Sequence, residues 1–333
     1  MTNPQISVVM PTYNAEKYIA EAINSILSQT FIDFEFIIIN DASTDSTKEI
    51  IKSFQDSRIT LINNEQNRGV AKSLNIGIAA AEGKYIARMD ADDISLQQRL
   101  QTQFDFMEQH PDIDICGSWM ETFGDNKCII KVPKKHNDIK DELFFSCSML
   151  HPTVIFKKNL NLQYSSDFPR AEDYDLWCRK INELKFANIP EILMYYRIHS
   201  NQIGKAKKTK QNQDSYLIRL RNLENIDLHL NHEELRIYND FFAEQFIPQN
   251  IEEVMIAINI FEKISAAGKN FGYGEKFQEL IKFFQRKATD FGIKKHVTSL
   301  KLYFSTFRKI GFFETPRSNL RYIYHCLRNM LHV

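Results

Sequence analysis

Apolar and polar positions follow two rhythms along the first half of the chain. Ile6–Met10, Phe34–Ile39, Ile59–Ile62 and Tyr85–Met89 are short, mostly apolar runs, each long enough for a buried strand and too short for a helix. Between them the spacing changes. Glu16–Leu27 carries apolar residues at 18, 19, 22, 23, 26 and 27, the stripe of a helix lying on a sheet. Thr47–Phe54 and Val70–Ala81 read as further helices. Strand and helix alternating at this spacing predict βαβ units and an α/β fold with a mostly parallel, Rossmann-like sheet flanked by helices.

The pattern continues less regularly. Leu96–Gln109 predicts an amphipathic helix closed by His110-Pro111, and Ile113–Trp119 a strand. Short strand pieces surround the turn at Gly124 within Met120–Val132. Asp138–Phe145 reads as a short helix, and the run from His151 to Phe156 enters a strand. His151, before Pro152, reads as structural. A helix starts near Arg170–Arg179 with acids in its first turn, where the helix dipole favours them. Glu191–Arg197 predicts a last strand. Past Gly204, Lys205, Lys207, Lys208 and Lys210 form a basic linker. Beyond it helical spacing dominates, near 212–226, 232–244, 250–267, 274–288, 296–310 and 317–331. The pattern therefore predicts two domains, 1–205 and 206–333.

In parallel sheets ligands bind beyond the carboxyl ends of the strands. Three polar clusters fall there: Pro11–Asn14, Asn40–Asp45 and Asp90–Asp93. The last places Asp90, Asp92 and Asp93 within four residues, and such carboxylates repel one another unless a cation sits among them. Hard divalent cations such as Mg²⁺ or Mn²⁺ prefer carboxylate oxygens. The other reading is a solvated loop after a strand. Asp93 itself reads as the cap of the following helix.

Composition narrows the classes. The 333 residues are 43% hydrophobic, ordinary for a soluble protein with a buried core. Net charge is zero, but from Arg286 onward ten Lys/Arg face two acids, which points to an anionic partner for that segment. The five cysteines form no C-x-x-C pair, which argues against thiolate metal sites and a disulfide framework and suits a reducing cytoplasm. No signal peptide and no run of membrane-spanning length is visible.

The first two hundred residues resemble the family 2 glycosyltransferases. Ile6-Ser-Val-Val-Met-Pro-Thr-Tyr-Asn14, Phe36-Ile-Ile-Ile-Asn-Asp-Ala-Ser-Thr-Asp45, Asn67-Arg-Gly-Val-Ala-Lys-Ser-Leu-Asn75, Asp90-Ala-Asp92 and Glu172-Asp173 match that family's motifs in order and spacing. The resemblance implies a GT-A fold, a nucleotide-sugar donor, bound Mn²⁺ or Mg²⁺, and transfer with inversion. Asp41 would hold the base of a UDP-sugar, with Pro11, Thr12 and Tyr13 lining its pocket. Arg68 and Lys72 would approach the uridine or diphosphate, or else are solvated helix-face cations. Asp92 would ligate the metal. Asp90, and Ala91 within the same motif, would face the ribose or the metal's water shell. His199 would complete the metal shell or contact the diphosphate, or else is a surface histidine. Asp173 would be the catalytic base that deprotonates the acceptor hydroxyl. Glu172 would position it or bind the acceptor, and Trp177 would stack on a sugar or lie in the core. Asn14 and Glu16 would close their loop.

The resemblance further implies a glycan or lipid-linked acceptor in surface polysaccharide synthesis, capsule or lipopolysaccharide. The basic, aromatic segment Leu302–Phe313 would lie on anionic membrane at the inner face of the cell, or pack as ordinary helix. Association of identical copies stays open, and no nucleic-acid module is visible. The competing classes are a degenerate nucleotide-binding scaffold, a nucleotidyltransferase, whose phosphate loop is missing after the first strand, and a D-x-D phosphatase, where Asp93 stands in place of Thr or Val.

Overall fold

The computed structural model describes residues 3–124, 127–199 and 208–294. The chain divides into two compact units between Ser215 and Tyr216. The first is α/β. β1 (Ile6–Thr12), β2 (Phe34–Asn40), β3 (Ile59–Asn63) and β4 (Tyr85–Arg88) alternate with α1 (Ile19–Leu27), α2 (Thr47–Ser53) and α3 (Val70–Ala80). β5 (Ile94–Ser95), α4 (Arg99–Gln109), β6 (Ile115–Gly124), β7 (Ile129–Ile130), α5 (His136–Leu143), β8 (Ile155–Lys157), α6 (Glu172–Lys180) and β9 (Phe186–Ile198) follow.

The nine strands form one sheet in the order β3-β2-β1-β4-β8-β6-β9-β5, with β7 beside β6. The β3-β2-β1-β4 half is parallel, as the alternation predicts. The other half is mixed: β8 runs antiparallel to β4 and β6, β9 parallel to β6, and β5 antiparallel to β9. β1 is buried along its whole length, Ser7 and Thr12 included, because both its faces are covered. α3 crosses β1 and β2 so closely that a Cβ on Gly77 would sit 2.4 Å from Val9 and 2.7 Å from Ile39.

Of the boundaries that depart from the spacing, three do so for a clear local reason. α1 starts at Ile19 rather than Glu16, because the Glu16 N–H is held by Asp45. α4 starts at Arg99 rather than Leu96, because Ile94–Ser95 pairs with β9 and the Leu96 N–H donates to Leu193 O. β9 starts at Phe186, five residues before its predicted start, although Pro190 lies inside it. Ser118 faces Ile189 and Trp119 faces Ile192, so Pro190 and Glu191 form a bulge where the missing N–H breaks no ladder bond.

The helical unit takes up α7 (Lys208–Glu224) from Tyr216 on, then α8 (His232–Phe242), α9 (Ile251–Asn270) and α10 (Glu275–Lys294). Asn231 and Glu234 form a capping box at α8, and the Asn250 side chain caps α9. Its core is aromatic: Phe241, Phe242, Phe261 and Phe284 pack ring against ring. Among the described residues no helix is long and apolar enough to cross a membrane. The helices predicted near 296–310 and 317–331, and the segment Leu302–Phe313, lie outside the described residues.

Candidate functional site

The site grows from the ends of β1, β2 and β4. Thr12 pairs with Asn40, and the Asp41 N–H donates to Thr12 O at 2.8 Å. The loops after β1 and β2 are laced together. Asn14 N–H donates to Ser43 Oγ, Thr44 N–H to Asn14 Oδ1, Glu16 N–H to Asp45 Oδ2 and Ser46 N–H to Glu16 Oε2. Asn14 (φ 50°) takes the left-handed backbone that this turn needs, which Asn tolerates better than most residues. Asn14 and Glu16 thus close the loop. Pro11 and Thr12 are buried, with the Thr12 hydroxyl lacking a partner, while Tyr13 is 49% exposed.

Asp41 is 4% exposed and heavily engaged. Its Oδ1 accepts from Asn64 Nδ2 (2.7 Å) and Arg68 N–H (2.9 Å), and its Oδ2 from Gly69 N–H (2.8 Å). Gly69 has φ 83°, a conformation natural to glycine, and this turns two successive N–H groups toward the one carboxylate. The Arg68 and Lys72 side chains are exposed, and neither forms an ion pair among the described residues. Asn64 was not anticipated; its signal is a second asparagine directly after a strand.

β4 ends in the acid loop. Oxygens of Asp90, Asp92 and Asp93 lie within 4.8 Å of one another. Ala91 between them is buried. Beneath them lie two buried arginines that the strand pattern did not flag as functional. Arg88 contacts Asp90, and Arg99 donates to Arg88 O (2.6 Å) and Gln103 Oε1 (3.0 Å). Burial pushes the Arg99 guanidinium down to about 9. An arginine inside an otherwise apolar strand that runs straight into acids is the signal that could have found Arg88. Asp93 caps no helix: α4 begins after Gln98, and Asp93 Oδ1 instead accepts the Arg197 N–H of β9 at 2.9 Å. Its Oδ2 is buried without a partner. Burial, reinforced by Asp90 and Asp92, raises the Asp93 carboxyl well above its usual range. Burial also raises Asp90, with Asp92 and Asp173 adding to it and Arg88 opposing. Clustered oxygen ligands with spare lone pairs fit a small divalent cation.

β9 fastens this loop from the far side. Arg197 Nε donates to Asp92 O at 2.8 Å, and its guanidinium contacts Glu21 and lies between the rings of Tyr18 (4.7 Å) and Phe123 (4.4 Å). His199 Nε2 stands 3.0 Å from Asp92 Oδ2, with its ring on Tyr18. His199 thus stands beside Asp92, and Arg197 is a further member of the cluster.

Glu172 and Asp173 open α6. Asp173 Oδ1 accepts the Tyr174 N–H at 2.8 Å, and Oδ2 lies 3.6 Å from Cys147 Sγ. Burial raises Asp173, while Arg88 and the Cys147 thiol hold it down. Burial, then the charge of Asp173, pushes Glu172 up to about 8. Arg88 acts on both Asp90 and Glu172, so the acid loop and the start of α6 share one electrostatic neighbourhood. Of the two readings, the structure shows the core one for Trp177. It is 0% exposed and packs edge-on against His151, Tyr164 and Phe186, so it offers no face to a sugar. Position 177 lies one turn inside α6 and turns into the core. His151 is buried on the Tyr164 hydroxyl (2.9 Å), as a structural residue would be.

Comparison with known proteins agrees with this architecture. The family model described as glycosyl transferase family 2 matches residues 7–163. An uncharacterized glycosyltransferase of Methanocaldococcus jannaschii is 43% identical over 223 residues, 63% of this chain and 77% of its own. The UDP-Glc:alpha-D-GlcNAc-diphosphoundecaprenol beta-1,3-glucosyltransferase of Escherichia coli is 32% identical over 63% of this chain and 84% of its own. The solved structure of S. aureus TarS 1-349 in complex with UDP-GlcNAc shares the fold at a TM-score of 0.57 and 18% identity, covering 93% of both chains. The fold is therefore GT-A, with a helical C-terminal portion. With the ordered acids at the strand ends and these matches in hand, the chain belongs to the family 2 glycosyltransferases.

Proposed function

We propose that this glycosyltransferase is metal-dependent and inverting, and moves a sugar from a UDP-sugar to a hydroxyl of a glycan or lipid-linked acceptor during synthesis of a surface polysaccharide. The observation that carries the reading is the acid loop at the end of β4, joined through Arg88 to the acids that open α6. One face of the site can hold a cation and the other can accept a proton. The UDP donor and lipid-diphosphate acceptor in the name of the Escherichia coli relative support the same choice. On this reading residues 1–205 form the catalytic domain and 206–333 a helical domain.

Pro11, Thr12 and Tyr13 line the base pocket. Asp41 holds the base and also orders the loop through Arg68 and Gly69, leaving the exposed Arg68 and Lys72 side chains for the diphosphate. Asp92, Asp90 and His199 hold Mn²⁺ or Mg²⁺, with Asp93 beside them. The bound ion would act as a Lewis acid on the diphosphate as negative charge builds there. Asp173 takes the proton of the acceptor hydroxyl. The new glycosidic bond then forms on the face opposite the departing diphosphate. Glu172 lies beside the base and contacts the acceptor. The protein works at the inner face of the cell membrane, with its basic end on anionic lipid.

The test combines donor binding and turnover. A thermal-shift screen of UDP-sugars should give its largest shift with one sugar, and only when Mn²⁺ is present. Asp173→Asn should keep that shift and lose transfer by about 10²–10⁴-fold, the usual worth of a positioned base. Binding without transfer in the native protein, on any acceptor, would mark a scaffold instead.

A further inference from the structure

Among the described residues of the helical unit, one buried cation has no carboxylate paired with it. Arg219, on α7, is 6% exposed, and its Nε is buried without a partner. Among the described residues no carboxylate, carbonyl or hydroxyl accepts from its guanidinium. The buried arginines of the first unit are handled differently: Arg88 lies on Asp90, and Arg99 on a carbonyl and a glutamine. What holds Arg219 is a ring, the face of Phe242 on α8, 4.7 Å away.

The same ring touches a second group with the same need. Tyr238, one helical turn before Phe242, packs against it at 5.0 Å and is 1% exposed. Its hydroxyl is also buried without a partner. Arg219 acts electrostatically on Tyr238 and on Tyr216, which lies on the same helix as Arg219. A guanidinium offers only donors, and a phenol offers a donor that water no longer satisfies. Removing both from water without an acceptor is unfavourable, and attraction to an aromatic face returns only part of the loss. Both groups lack the same thing, an acceptor with negative charge. A second cation stands nearby: Lys287 on α10 lies over Phe241, whose ring is 5.5 Å from that of Phe242.

We infer that Arg219 and Tyr238 form an oxyanion site in the helical unit, and that its ligand is a phosphate group. The planar guanidinium fork matches two oxygens of a tetrahedral oxyanion, the phenol supplies a third donor, and the two cations favour a doubly charged ligand over a carboxylate. The phosphate belongs either to a soluble compound or to a lipid headgroup. The site needs neither metal nor donor, so the inference stands apart from the transfer reaction.

The full chain, free of divalent cations, tests it by thermal unfolding in inorganic phosphate and by co-sedimentation with vesicles. Phosphate should raise Tm in the native protein. Arg219→Met should abolish that shift, and Tyr238→Phe should weaken phosphate binding several-fold. Asp92→Asn should leave the response intact, which separates this site from the nucleotide pocket. Because the methionine removes an unpaired buried charge, Arg219→Met should also melt higher than the native protein in phosphate-free buffer. Arg219-dependent binding to phosphatidylglycerol vesicles, absent with phosphatidylcholine, would identify a headgroup. A response to phosphate alone would identify a soluble ligand. The inference is overturned if Arg219→Met responds to phosphate and to vesicles as the native protein does, or if it melts lower without phosphate.

Discussion

The ends of β2 and β4 place carboxylates at the same sheet edge, and the two strand ends use them in opposite ways. Asp41, after β2, is surrounded by donors: two backbone N–H groups and an asparagine amide converge on it. The acids after β4 each meet a single partner, Arg88 for Asp90, His199 for Asp92 and the Arg197 N–H for Asp93, and otherwise face one another, with one oxygen of Asp93 left without any donor. The difference lies in donor supply rather than residue type. A carboxylate that collects several N–H bonds is stable as an anion and organises the chain around it. A cluster with fewer donors than acceptor oxygens stands to gain from a cation. The first arrangement orders the loop at Arg68 and Gly69, and the second is the one that, on the proposed reading, would hold the ion.

Substitutions can break this contrast. Asp92→Asn should have the largest effect, a loss of transfer of about 10²-fold or more, because several kcal/mol of charge stabilisation by the ion goes with its ligand. The same change should raise Tm in metal-free buffer by relieving repulsion; a fall would mean that the loop is not short of donors. Next is Arg197→Ala. Arg197 touches no ligand in this scheme but holds the Asp92 carbonyl and, through its backbone, Asp93. Loss of such support usually weakens metal affinity by about 10–100-fold, readable by Mn²⁺ titration with electron paramagnetic resonance. Unchanged affinity would remove Arg197 from the site.

Asp41→Asn should act in the opposite sense to Asp92→Asn. An amide has one acceptor oxygen, so one of the Arg68 and Gly69 N–H groups loses its partner. The cost should be about 1–3 kcal/mol, seen as a lower urea midpoint. Glu172→Gln should change least. Burial holds Glu172 up to about 8, so near pH 7 it already carries a proton that the amide imitates. Transfer should stay within a few-fold of native. The native protein should also lose stability as pH rises from the ordinary carboxyl range to about 8, where the folded state still holds the proton that the unfolded state has released, and level off above. Glu172→Gln should flatten that decline in Tm measured from pH 6 to 9.

The parallel half of the sheet was legible because each strand there is a local apolar run flanked by its own helix. The candidate acids were legible because strand ends in such sheets face ligands, and Asp41, Asp90, Asp92 and Asp173 all lie at the ends of elements. What stayed hidden depends on partners distant in sequence. Ile94–Ser95 is a strand only because β9 lies alongside, and Asp93 serves β9 rather than α4 for the same reason. The bulge at Pro190 cannot be seen without β6. The choice between sugar and core for Trp177 is settled only by the position of α6, which turns it inward.

Arg197 reaches Asp93 across 104 residues of sequence and Asp92 across 105. During synthesis on the ribosome the acid loop therefore emerges long before the strand that secures it. A nascent chain ending before Arg197 can pair β1 with β2 and β4, yet its acid loop lacks the clamp from β9. On the proposed reading, competence for metal should arrive late and abruptly, when residues 197–199 leave the exit tunnel, rather than grow with each strand added.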